Sequence, residues 1–117
     1  RMYASSNIET FASAVSNSKN IAATVTGEAV IAVLKGMMAR PSRAAVMESG
    51  KVPCLWILGA RDNYIDFRAI QERVQLPPDS AAALLENSGH MGFIEEEDEA
   101  LSILRSFLLS KIPDSIF

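Results

Sequence analysis

The run Val52-Pro53-Cys54-Leu55-Trp56-Ile57-Leu58 is continuously apolar and is closed by Gly59. A short apolar run bounded by turn residues reads as a strand covered on both faces, the kind that builds parallel sheets. Pro53 is tolerated at the strand's start, where its missing N–H does least harm. Downstream, Asp66 is placed to cap a helix holding Phe67, Ile70 and Val74, and Pro77, Pro78 and Asp79 form a turn. Ala81 to Leu85 then reads as a second strand. Glu95, Glu96, Glu97, Asp98 and Glu99 load the first turn of a last helix with negative charge, favourable at the positive end of its macrodipole. Leu101, Leu104, Phe107, Leu108 and Leu109 give that helix an apolar face, Lys111 sits near its end, and Pro113 stops it. The predicted order from residue 51 is strand, helix, strand, helix: a right-handed βαβ unit with one further helix, hence an α/β fold. Two parallel strands alone make a poor sheet, so part of its hydrophobic edge needs a neighbour.

The first 50 residues carry a different signal. Ile8, Phe11, Ala12 and Val15 recur at i, i+3, i+4 and i+7, which predicts a one-faced helix over Ser6 to Ser16. Asn17 to Asn20 reads as a polar connection. Thr26 is a plausible N-cap for a helix with Val30, Val33, Leu34, Met37 and Met38 on one side. Arg40-Pro41 ends it, because the residue before proline is pushed out of the helical region. Pro41 then opens a short helix through about Ser49, with Gly50 as its stop.

Composition narrows the function classes. At 49% hydrophobic and 21% charged residues the chain is globular rather than disordered. A net charge of −3 gives no reason to expect a nucleic acid or an anionic membrane as partner. No apolar run approaches the roughly 20 residues that span a bilayer, and no segment has the order of a signal peptide. A single cysteine, Cys54, rules out an internal disulfide, and with a single histidine it excludes most zinc sites. The default setting is reducing and cytoplasmic. Arg1 precedes Met2, from which a longer parent is expected.

Two segments follow the predicted strands directly: Gly59-Ala60-Arg61-Asp62, and Ser88-Gly89-His90-Met91-Gly92-Phe93. Open α/β sheets bind ligands beyond the carboxyl ends of their strands. Asp62 and His90 would therefore project into one region. A carboxylate beside an imidazole selects one tautomer and stabilises the imidazolium formed when the ring takes a proton.

Together, Val52 to Asp62, Ser88-Gly-His-Met91, the Gly-Phe-Ile-Glu-Glu behind it and the last helix resemble the C-terminal end of an α/β-hydrolase. The resemblance covers 51–112 well and 20–50 loosely. It implies a division into a helical lid (1–50) and the C-terminal part of the hydrolase core (51–117). In that family nucleophile, acid and histidine follow in that order along the chain. The acid and base roles then fall on Asp62 and His90, with Met37, Met38, Met91 and Phe93 facing substrate. The nucleophile elbow, Gly-x-Ser-x-Gly, is absent from the sequence, as is the family's His-Gly oxyanion segment. The implied parent is a serine-type hydrolase of ester- or amide-like small molecules that uses no metal or cofactor. Its nucleophile would come from a missing N-terminal half or a second copy, in a homo-oligomer. The chain alone is expected to be inactive. The same acid–histidine pair would serve a dehalogenase, an epoxide hydrolase or a cofactor-free peroxidase. A non-catalytic module that dimerises through its open sheet edge and lid helices would also fit.

Simpler readings stand beside these. His90 could be a hydrogen-bonded structural histidine, and Asp62 a turn residue. Asp66 competes as the acid but reads better as a cap. Cys54, inside a strand, reads as a small buried hydrophobe. The acidic run 95–99 reads as a solvated helix start rather than a metal site, and Met37 and Met38 as lid packing.

Overall fold

The computed structural model describes residues 2–73 and 75–111, so Val74 and Pro113 lie outside the described residues. A short 3₁₀ turn at Ser5–Asn7 precedes three helices, α1 (Ala12–Ala23), α2 (Gly27–Ala39) and α3 (Ala44–Glu48). Strand β1 (Leu55–Gly59), helix α4 (Phe67–Arg73) and strand β2 (Ala81–Leu85) follow. A one-turn helix α5 (Gly92–Glu95) and helix α6 (Glu97–Leu109) complete the described fold.

The two strands pair in parallel, from Leu55 against Ala81 to Gly59 against Leu85. This mixed helix-and-strand architecture around a small parallel sheet is the α/β class expected from the apolar run. β1 begins at Leu55 rather than at Val52, which is 69% exposed. Pro53 has no N–H to give a ladder, and the first clasp between the segments runs from Cys54 N–H to the Ser80 hydroxyl (2.9 Å). The pairing outlasts β1 at its other end: Ala60 N–H donates to Leu85 O, and Arg61 N–H to Ser88 O, each at 2.9 Å.

Several local signals operate as the sequence implies. The Thr26 hydroxyl accepts the Ala29 N–H at 3.2 Å and starts α2. Arg40 is extended (φ −63°, ψ 121°) before Pro41 and ends it. Asp66 accepts the Arg68 N–H at 2.9 Å and opens α4.

Three further boundaries differ. The first helix starts at Ala12 and runs through Asn17–Asn20, the stretch expected to be a connection. Polar residues there lie on an exposed helix surface, and residues 2–7 are held instead by contacts far along the chain. α3 starts at Ala44, three residues after Pro41. The acidic run is divided, because only Glu97, Asp98 and Glu99 occupy the first turn of α6. Glu95 ends α5 and is buried, and Glu96 separates the two helices.

The buried residues among those described are few and come from distant parts of the chain: Tyr3 and Ala4, Gly59, Pro77, Leu85, Ser88, Gly89, Gly92, Glu95 and Ala100. The Tyr3 ring stacks on Phe11 with centroids 6.3 Å apart. By contrast α1 and α2 contribute no buried residue. Among the described residues no single helix is long and apolar enough to cross a membrane; α1 and α2 reach that length only together and are bent by 99°.

Candidate active site

The ends of β1 and β2 are stitched together before any side chain is considered. Ser88 O receives the Arg61 N–H, so the loop carrying Asp62 lies on the loop carrying His90. Gly59 makes this approach possible. A Cβ there would stand 2.5 Å from Ser88 O and would overlap Gly89 O as well. Backbone oxygens cannot swing aside as a side-chain tip can, so the strand end tolerates no larger residue.

On this scaffold the Asp62 Oδ2 and His90 Nδ1 atoms stand 2.8 Å apart. The Asp62 side chain is nearly enclosed, at 6% exposure, whereas that of His90 is 38% exposed. The other carboxyl oxygen, Oδ1, accepts the Tyr64 N–H at 2.7 Å and the Ile65 N–H at 3.2 Å. These bonds fix the carboxylate plane and aim Oδ2 at the ring. Burial pushes the Asp62 carboxyl pKa up, but the Tyr64 N–H, the His90 ring and the Ile65 N–H oppose it, and the result lies below the ordinary aspartate value. An ionised carboxylate only accepts hydrogen bonds, so the proton between the groups sits on Nδ1. The neutral ring then presents its Nε2 lone pair away from Asp62, the state a general base requires. Tyr64 meets the imidazole edge-on, with centroids 5.4 Å apart at 66°.

A cavity of about 170 Å³ lies between the pair and the sheet, lined by Ile65, Leu85, Phe93 and the two polar residues themselves. The structure thus brings Phe93 to the same cavity as Asp62 and His90. Met91 is half-buried beside His90 and Met37 and Met38 are exposed on α2; none of the three methionines lines this cavity. Asp66 is occupied as a cap. Among the described residues no group of three or more histidine, cysteine or acidic side chains could hold a metal ion.

Residues that sequence reasoning passed over frame the histidine loop. Asn87 N–H and the Ser88 hydroxyl donate to Glu96 Oε2 (2.9 and 2.6 Å), and Gly89 N–H donates to Glu95 Oε1 (2.9 Å). His90 N–H donates to Met2 O at 2.7 Å, and the Asn7 amide donates to Asn87 O at 2.7 Å. Arg61 bridges the Ser6 hydroxyl and the Asn87 side-chain oxygen, both at 2.7 Å. Glu95 and Glu96 lie five and six positions after His90, and this nearness in the chain was the available clue. For Met2 and Asn7, more than 80 positions away, the sequence carries no signal.

No family model matches the sequence. The pimeloyl-[acyl-carrier protein] methyl ester esterase of Stenotrophomonas maltophilia (strain K279a) is 31% identical over 88 residues, which cover 75% of this chain and 34% of that protein. The chain spans about a third of the length of this curated relative. The similarity to an esterase loosely supports a hydrolase-like fold and function.

Proposed function

We propose that the chain is the acid- and base-bearing C-terminal part of an α/β-hydrolase acting on an ester or similar carbonyl compound. The observation that carries this reading is the 2.8 Å approach of His90 Nδ1 to an enclosed Asp62 at the ends of adjacent parallel strands. Similarity to a methyl ester esterase points to the ester class. In this reading His90 Nε2 takes the proton of a nucleophile and later delivers it to the leaving oxygen, while Asp62 holds the tautomer and stabilises the imidazolium. Phe93 contributes an apolar wall, and α1–α3 belong to a lid over the pocket. The nucleophile and oxyanion donors come from polypeptide outside these 117 residues.

Two features support a further packing partner. Leu101, Leu104, Leu108 and Leu109 of α6 are exposed, and so are Val30, Ile31, Val33 and Leu34 of α2. The exposed apolar surface of α2 favours a second reading, a non-catalytic association module. Hydrolysis of simple aryl and methyl esters by the protein carrying its nucleophile-bearing part separates the two. Asp62→Asn is expected to lower kcat by about 10⁴ with the fold intact, and His90→Ala by at least as much. Unchanged turnover in His90→Ala would defeat the catalytic reading. The isolated chain is expected not to label with a serine-directed fluorophosphonate.

A further inference from the structure

Glu95 is a nearly buried carboxylate, 9% exposed, that the acid–base chemistry does not use. It accepts three N–H groups from two directions. Oε1 takes the Gly89 N–H at 2.9 Å, and Oε2 takes the Ala4 N–H and the Asn7 amide, each at 2.8 Å. One side of the carboxylate thus grips the residue before His90, and the other grips the amino-terminal strap, residues 2–7. The strap closes the circuit by accepting the His90 N–H on Met2 O at 2.7 Å. Gly89 is wedged between the two: a Cβ there would stand 2.6 Å from Ala4 N and 2.8 Å from the Tyr3 carbonyl carbon.

We propose that Glu95 is the positioning residue of the acid–base pair. By clamping Gly89 to the strap it fixes the backbone from which His90 reaches Asp62. The role rests on reading His90 as the base. Hydrogen bonds to a charged acceptor in an enclosed site are stronger than neutral ones, and a buried N–H that loses its acceptor carries its full desolvation cost. Three donors converging on one carboxylate, one from the loop and two from the strap, therefore hold the two together more firmly than water could. The strap contributes no atom to the reacting region. It acts through the backbone of residues 89 and 90.

His90 is the chain's single histidine, so ring nitrogen-15 NMR reports its tautomer without overlap. In the wild-type chain the neutral ring is expected to be mainly Nδ1–H, the form that donates to Asp62. Glu95→Gln keeps the size and one acceptor oxygen but turns an amide toward N–H donors. The expected result is an inverted ratio, toward the Nε2–H form that free imidazole side chains prefer, while amide spectra show the sheet intact. A ratio unchanged in Glu95→Gln but inverted in Asp62→Asn overturns the positioning role and leaves the acid–base pair standing. A ratio unchanged in Asp62→Asn defeats the pair itself, and the positioning role with it. If Glu95→Gln does not fold, Asn7→Ala decides. It removes the Asn7 amide's bonds to Glu95 and Asn87 at a less buried position, leaving only the Ala4 N–H between the strap and Glu95, and a lowered Nδ1–H share supports the proposal while an unaltered share overturns it.

Discussion

Two regions of this molecule end in opposite states, and the more apolar of the two is the exposed one. In α2, Val30, Ile31, Val33, Leu34, Met37 and Met38 are all exposed, Met38 at 87%. Around the ends of β1 and β2, Leu85 is 1% exposed, Ser88 is fully enclosed and Glu95 is nearly so. Hydrophobicity therefore does not decide what is buried here. Convergence does: three segments, residues 2–7, 59–62 and 85–96, meet at one place and satisfy one another's polar groups. Burying backbone N–H and C=O groups is costly unless each finds a partner. The carboxylates of Glu95 and Glu96 and the carbonyls of Met2, Leu85 and Ser88 supply those partners. The helical region has satisfied backbones of its own but no facing surface among the described residues, so its apolar side chains remain uncovered.

The largest test of this contrast is at Gly59. Gly59→Ala forces a Cβ against two backbone carbonyl oxygens and is expected to cost about 3 kcal/mol, read as a lowered midpoint in urea unfolding. An effect below about 0.5 kcal/mol, the level of an ordinary surface change, would break the claim that the strand ends are tightly joined. Glu95→Ala comes next. Leaving buried N–H donors without an acceptor costs about 1–3 kcal/mol, and the three donors here share one environment, so the losses will not simply add.

Asp62 sharpens the comparison through pH. Its folded pKa lies below the unfolded value, so its contribution to stability is present above roughly pH 4. That contribution is lost as pH falls through the lowered folded value and protonates the carboxyl. The stability gap between wild type and Asp62→Asn is therefore expected to be widest near neutral pH and to close in acid. A gap that grows on acidification would mean the folded state does not favour the carboxylate. The smallest effect is expected at α2, where Met38→Ser changes stability by no more than about 0.5 kcal/mol in the isolated chain. A cost as large as that of Glu95→Ala would show that α2 has a partner surface in solution and would erase the contrast.

How far the sequence could be read follows the same division. β2 was legible to the residue, and the capping roles of Thr26 and Asp66 were legible because each depends on neighbours three or fewer positions away. The candidate pair was legible because strand ends in a parallel sheet lie side by side, which brings residues 28 positions apart into one crevice. The start of α1 falls later than the apolar spacing predicts because the strap before it is held by residues 80 or more positions downstream. In the sequence Glu95 and Glu96 read as part of a solvated helix start for a similar reason. An acidic run is favourable at a helix N-terminus wherever it points, and only the folded loop decides that two of its members turn inward.

By itself, then, the sequence determined the local elements: an apolar run that forms a parallel strand, helix caps, and an acid and a histidine directly after strand ends. These follow from steric and hydrogen-bonding rules acting over a few residues. The apolar run predicts a strand covered on both faces, yet Cys54 and Leu55 to Leu58 are only half-buried, because two strands cover little of one another. Tertiary structure alone decided that Asp62 and His90 meet at 2.8 Å, that Gly59 and Gly89 lie where no side chain fits, and that Glu95 joins the amino-terminal strap to the histidine loop. Those facts depend on which distant backbone groups need partners and which carboxylates come within reach once the strands have paired.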